Sequence, residues 1–142
     1  MKQKGFTLIE IIVVAAIIGV LATVVLFMVS RPQSEASDSA VRNNLVSIIK
    51  QGNIYYLTNN SYGSDDGSCT SGVFADPIVV QAFGEVNKNL GGAKSKVCSI
   101  SSNGNNMAIL VDGLRNGNSK LCVDSSNYVG TSDSVVDGLC VR

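Results

Sequence analysis

One uninterrupted apolar run near the start of the chain constrains everything else. From Phe6 to Val29 the only charged residue is Glu10. At about 1.5 Å per residue, a helix over this run is roughly 36 Å long, enough to cross a hydrocarbon core of ~30 Å. The rest of one small chain has no surface that could cover such a stripe. It must be buried by lipid or by the same stripe of other copies. Glu10 sits near one end of the span, and a carboxylate there is costly. It therefore marks a functional position whose partner has to be named.

Two simpler readings fit less well. A secretory signal peptide has a 7–15-residue apolar core followed by a small-residue cleavage site. Here the core is longer, and Ser30-Arg31-Pro32 is a poor small-x-small exit. The small residue at a charge-to-apolar junction is Gly5, ahead of the run rather than after it. A plain membrane anchor accounts for the length but explains neither Gly5 nor Glu10.

The remainder looks like a small exported domain. A length of 142 residues allows one domain beyond the apolar run. The chain has 11 basic and 11 acidic residues, and charged residues make up only 15%. Loss of Lys2 and Lys4 with a leader would leave a net charge of −2. That balance carries no nucleic-acid signature. Apolar segments recur through a Gly-, Ser- and Asn-rich tail, so the tail is not a disordered one. The chain has 4 cysteines and no histidine. Cys69, Cys98, Cys122 and Cys140 all follow the apolar run and form no C-x-x-C pair, which argues against zinc and any other metal. An even count in a small exported domain favours two disulfides, and three pairings are possible. No nucleophile–base set and no phosphate-binding glycine loop is present, so neither an enzyme nor a cofactor is expected. Asp112 and Asp124 read as solvated residues at strand ends. Asp65 and Asp66 are too isolated to argue calcium.

Beyond Val29 the pattern turns amphipathic. Val41, Leu45, Ile48, Ile49, Tyr55 and Tyr56 form a helical stripe, with Gly52 on it where another backbone can approach. Asp38, Arg42, Asn43, Ser47, Lys50 and Asn53 lie opposite. The apolar face needs a sheet to cover it. Pro32 lacks an N–H and should bend the helix near residues 28–32. Asn59-Asn60-Ser61-Tyr62-Gly63 ends the helix with turn chemistry. Asp76-Pro77 opens a short helix over 76–90, with Val79, Phe83, Val86 and Leu90 on one face and Gly91-Gly92 as its stop. Strands are expected at Lys96–Ser101, Met107–Asp112 and Lys120–Asp124. Asn103-Gly104 and Asn116-Gly117 link them into an antiparallel meander. Residues 125–142 read as a polar loop with a short apolar end.

The segment Lys4-Gly5-Phe6-Thr7-Leu8-Ile9-Glu10 resembles the processing site of bacterial type IV pilins and of the related type II secretion pseudopilins. The likeness is close over residues 4–26 and rests on general layout beyond them. It implies an α+β fold in which a long N-terminal helix packs its second half on a small antiparallel sheet. Residues 1–5 would be a leader removed by a prepilin peptidase between Gly5 and Phe6. The new Phe6 amine would be methylated. Residues 6–32 would form the membrane and filament-core helix, and 33–142 a globular head with its half-helix over 33–58 and its sheet over about 96–124. Glu10 would pair with the Phe6 amine of a neighbouring subunit in a helical filament.

The resemblance also implies an order of events. Lys2 and Lys4 would hold the leader in the cytoplasm by the positive-inside rule, placing the head outside the inner membrane until assembly carries it to the cell surface. In filaments of this family the stretch between the first glycine and the proline can lose helicity, here Gly19 to about Pro32. The family's proline often lies about five residues earlier, where this chain has Phe27, which moves the expected bend. Close helix packing at Gly19 is the other reading of that residue. Disulfides that close loops near the C-terminus recur in pilins, which favours Cys122–Cys140 and, with it, Cys69–Cys98. Two cysteine pairs favour a pilus subunit over a secretion pseudopilin. An uncleaved, membrane-anchored binding domain is the alternative of another class, and the residue found at the mature N-terminus separates the two.

Overall fold

The computed structural model describes residues 5–64, 67–91, 95–117 and 119–142, without the side chains of Phe27, Val29, Ser30 and Arg31. The leader residues 1–4, Asp65, Asp66 and Gly92 lie outside the described residues. The chain divides into two units, Met1–Ser34 and Glu35–Arg142. A long helix, α1 (Leu8–Asn59), contributes to both and contains Pro32.

In the first unit the helical side chains that are described are almost all exposed, Ile9 at 69% and Leu21 at 60%. The span Leu8–Leu26 is long and apolar enough to cross a membrane by length and composition.

The second unit is built on the amphipathic half of α1. Val41, Leu45, Ile48 and Ile49 are buried, with Tyr55 and Tyr56 packed at the margin of the same cluster. Gly52 is buried on that stripe, and a Cβ there would come within 2.4 Å of the Met107 sulfur. Glycine thus lets the methionine side chain of the sheet reach the helix backbone. Asn60, at φ 53, ends α1 in the left-handed region that terminates many helices.

After a short 3-10 turn (Gly72–Ala75), α2 (Pro77–Asn89) is capped by Asp76. The Asp76 carboxylate accepts from the Ile78 and Val79 N–H groups at 2.9 and 3.4 Å. Val79, Phe83, Val86 and Leu90 are buried, as the periodicity requires.

The sheet is an antiparallel meander of β1 (Ser95–Ile100), β2 (Met107–Asp112), β3 (Leu121–Asp124) and β4 (Val129–Thr131), in that order. Its register sets Val97 opposite Leu110 and Leu110 opposite Cys122. Successive residues on a strand point to opposite faces. Met107, Ile109, Val111, Leu121 and Val123 join α1 and α2 in the main core. Ala108, Leu110 and Cys122 form a second, smaller core with Cys140, flanked by Tyr128 and Val135.

That second core exists because residues 125–142 are not a polar loop. They supply β4 and a further hairpin, β5 (Val135–Val136) and β6 (Leu139–Cys140), which lies over the outer face of the sheet. Asp137 and Gly138, at φ 49 and 71, form its turn. Two positive-φ residues match the twist of a tight hairpin. β2 is therefore covered on both faces and is buried from Met107 to Val111.

Two disulfides close the second unit, Cys69–Cys98 and Cys122–Cys140, with Cα separations of 5.2 and 6.0 Å. The first ties the connection before α2 to β1. The second ties β6 to β3. A closed loop of this size restricts the unfolded chain by ~3 kcal/mol. Replacing Cys122 and Cys140 together by serine should therefore lower the thermal midpoint by many degrees, as read by circular dichroism. An unchanged midpoint would show that the hairpin is held by packing and hydrogen bonds alone.

Candidate assembly site

The start of α1 is built around Glu10. Gly5, Phe6 and Thr7 precede the helix, and Phe6 is 83% exposed. Thr7 takes the N-cap position and Glu10 the third helical position. The Thr7 N–H and hydroxyl donate to Glu10 Oε2 at 2.8 and 2.7 Å. The Glu10 N–H returns to the Thr7 side-chain oxygen at 3.4 Å. This is a capping box, which satisfies backbone donors that a helix start leaves open. Its signature, Thr-x-x-Glu, is legible in the sequence, and Thr7 is the functional residue that reading for charge alone passes over.

The capping box has a consequence for the carboxylate. Both Thr7 donors reach Oε2, and no described residue donates to Oε1. One oxygen is held by the chain itself, which fixes the orientation of the group. The other remains open to a donor from outside.

Neither described glycine of this unit is required by crowding among the described residues. A Cβ added at Gly5 or at Gly19 would meet nothing within 4 Å. Neither is at a positive φ. In a helix interior Gly19 costs about 1 kcal/mol relative to alanine. Steric crowding among the described residues therefore does not require glycine at either position, which leaves helix flexibility at Gly19 and contact with a surface outside the chain as the remaining reasons.

In the second unit, two acids expected at solvated positions are structural. Asp124 is 1% exposed. Its Oδ1 accepts from the Ser126 N–H and hydroxyl at 2.9 and 2.6 Å and from the Tyr128 N–H at 3.2 Å. Its Oδ2 accepts from the Cys140 N–H at 3.1 Å. Asp38 on α1 accepts from the Arg115 and Asn116 N–H groups at 2.7 and 2.8 Å and so ties the β2–β3 turn to the helix. Asp112 instead bonds the adjacent Gly113 N–H. Burial pushes the Tyr62 phenol above its ordinary range, and its hydroxyl donates to Asn53 at 2.7 Å. These groups organise the fold and leave Glu10 as the carboxylate with an open oxygen in an apolar setting.

The second unit is an α+β domain, and the first is an exposed apolar helix with one capped carboxylate near its start. Residues 1–26 match the prokaryotic N-terminal methylation motif. The chain is 38% identical over 70 residues to the type IV wide pilus major component PilA4 of Thermus thermophilus, covering 49% of this chain and 53% of that protein. It is 37% identical over 65 residues to the type II secretion system core protein G of Pectobacterium carotovorum, covering 46% of this chain and 42% of that protein. The chain thus spans about half the length of the curated relatives it matches. No solved structure matches it.

Proposed function

We propose that this chain is a structural subunit of an extracellular, type IV pilus-like filament. A prepilin peptidase removes residues 1–5, and the new Phe6 amine is methylated. The head faces outward from the inner membrane, and the apolar helix then moves from lipid into contact with identical or related subunits. The observation that carries this reading is the methylation motif over residues 1–26 together with Glu10 as the single charge of the exposed apolar helix. In the assembled state the open Glu10 Oε1 receives the Phe6 amine of a neighbour. Opposite charges in a low-dielectric setting attract strongly and favour the register in which they meet.

The first experiment is the mature N-terminus. Mass spectrometry should find N-methylated phenylalanine, Phe6, at the start of the chain taken from filaments. A chain that begins at Met1 would instead support an anchored binding domain. Gly5→Val should leave uncut precursor in the inner membrane. The space around Gly5 is open, so the added side chain does not disturb the chain's own fold. It obstructs only a protease that must close around this backbone. Normal cleavage of the variant would remove the assignment.

A second reading rests on the relative named as a core secretion protein. A pseudopilin would use the same helix, carboxylate and processing in a secretion filament. Deleting the gene separates the two: loss of surface filaments supports the pilus subunit, and loss of protein export with filaments intact supports the pseudopilin.

A further inference from the structure

We infer that Asn116 is a site of spontaneous deamidation in the folded chain, and that the product acts on the Asp38 contact that ties the β2–β3 turn to α1. The reaction needs a backbone nitrogen free to reach the side-chain carbonyl of the preceding residue, and glycine hinders that approach least. The Gly117 nitrogen adds to the Asn116 side-chain carbonyl carbon. The bond from that carbon to the amide nitrogen breaks, and the nitrogen leaves as ammonia with the proton from Gly117. Water then opens the cyclic imide at either carbonyl, giving aspartate or isoaspartate. Nothing is oxidised or reduced, and water is the co-reactant.

The structure separates Asn116-Gly117 from the other Asn-Gly and Asp-Gly pairs among the described residues. Asn103 Oδ1 accepts from the Ser101 hydroxyl at 2.7 Å and from the Asn105 N–H at 3.0 Å. The Gly104 N–H donates to the Ser101 carbonyl at 2.8 Å, and Gly104 is buried. Asp112 holds the Gly113 N–H at 2.7 Å. Asp137 accepts from the Ser102 N–H, and the buried Gly138 donates to the Ser99 hydroxyl at 3.2 Å. Asn116 and Gly117 are both exposed, and neither the Asn116 carboxamide nor the Gly117 N–H is hydrogen-bonded among the described residues. Among the described residues, a Cβ on Gly117 would meet only the Ser119 nitrogen, at 4.0 Å. There is room for the ring to close.

The position gives the product its effect. The Asn116 N–H donates to Asp38 Oδ2, and the Arg115 N–H to Oδ1. A carboxylate at position 116 adds like charge beside Asp38. Isoaspartate also lengthens the backbone by one carbon within the turn. Both changes loosen the two N–H contacts.

The test uses the full chain in detergent, incubated at mildly alkaline pH and mapped by peptide mass spectrometry. The mass gain for exchange of an amide for an acid should arise on the peptide holding Asn116, while the peptide holding Asn103 stays unchanged. The reduced, unfolded chain should gain mass at both, and Asn116→Gln should abolish the first gain. An equal rate at Asn103 in the folded chain, or no gain at Asn116, would overturn the assignment. Asn116→Asp places the charge directly. It should cost the amides of residues 115 and 116 their protection from hydrogen exchange, and full retention of protection would overturn the coupling to Asp38.

Discussion

Replacing Glu10 by valine should yield a chain that is processed and inserted normally yet builds almost no filament. The variant makes the span wholly apolar, so insertion into lipid becomes easier rather than harder. On the proposed reading, the exposed helix exchanges lipid for neighbouring helices of similar character on assembly. Little apolar surface changes its environment, so close packing and polar contacts must decide the geometry. In the proposed filament Glu10 supplies the polar contact. Thr7 holds Oε2 through two donors, which aims the group and leaves Oε1 open for the proposed contact with a neighbour's amine. Valine removes both the target and the carboxylate half of the capping box, while Thr7 can still accept from the backbone N–H of residue 10. Glu10→Gln keeps an oxygen that Thr7 can hold but drops the charge, and should give filaments in intermediate yield. Electron microscopy of sheared surface material, with immunoblots for total and cleaved chain, reads both effects. Abundant filaments built from the valine variant alone would sink the pairing role.

Much of this architecture is legible because it rests on local rules. The stripe Val41, Leu45, Ile48, Ile49 follows helical periodicity, and those four residues are buried. Asp76-Pro77 is a cap followed by a first-turn proline, and the helix begins there. Asn103-Gly104 marks the turn between β1 and β2, whose bounds fall within a residue of those read from the pattern. Residues 125–142 are harder for physical reasons. β4 has three residues, including Gly130, and β5 and β6 have two each. Runs that short carry no period. The Asp137-Gly138 pair does carry a hairpin signal, flanked by Val135-Val136 and Leu139-Cys140, and reading the segment as a polar loop passes over it. The roles of Asp38 and Asp124 are tertiary. Nothing near Asp124 in sequence says that an acid there will meet the N–H of Cys140, 16 residues away.

Asp124→Ala should destabilise the head by about 3 kcal/mol, because it leaves the buried Cys140 N–H and the part-buried donors of the β3–β4 turn without their partner. The carboxylate binds three things at once. It closes the β3–β4 turn through Ser126 and Tyr128, it fills part of the outer face of the sheet beside Cys122, and it fixes β6 through Cys140. Hydrogen bonds to a charged acceptor are stronger than neutral ones, and alanine returns none of them. Asp124→Asn keeps the shape. Whichever way the carboxamide turns, its NH2 faces either the Cys140 N–H or the donors of the turn, so the loss should be only partly recovered. For a domain of this size, 3 kcal/mol corresponds to a midpoint lower by roughly 10–20 °C. The Cys122–Cys140 disulfide holds the same strand, so the two constraints should be coupled rather than additive. With the disulfide intact, β6 stays tethered and the loss is limited. With both cysteines replaced by serine, Asp124→Ala should release the hairpin altogether. Thermal melts of the four chains in this cycle, followed by circular dichroism, give the coupling directly. A midpoint for Asp124→Ala within a degree or two of the parent would mean that water replaces the carboxylate, and that the outer core is held by its apolar contacts.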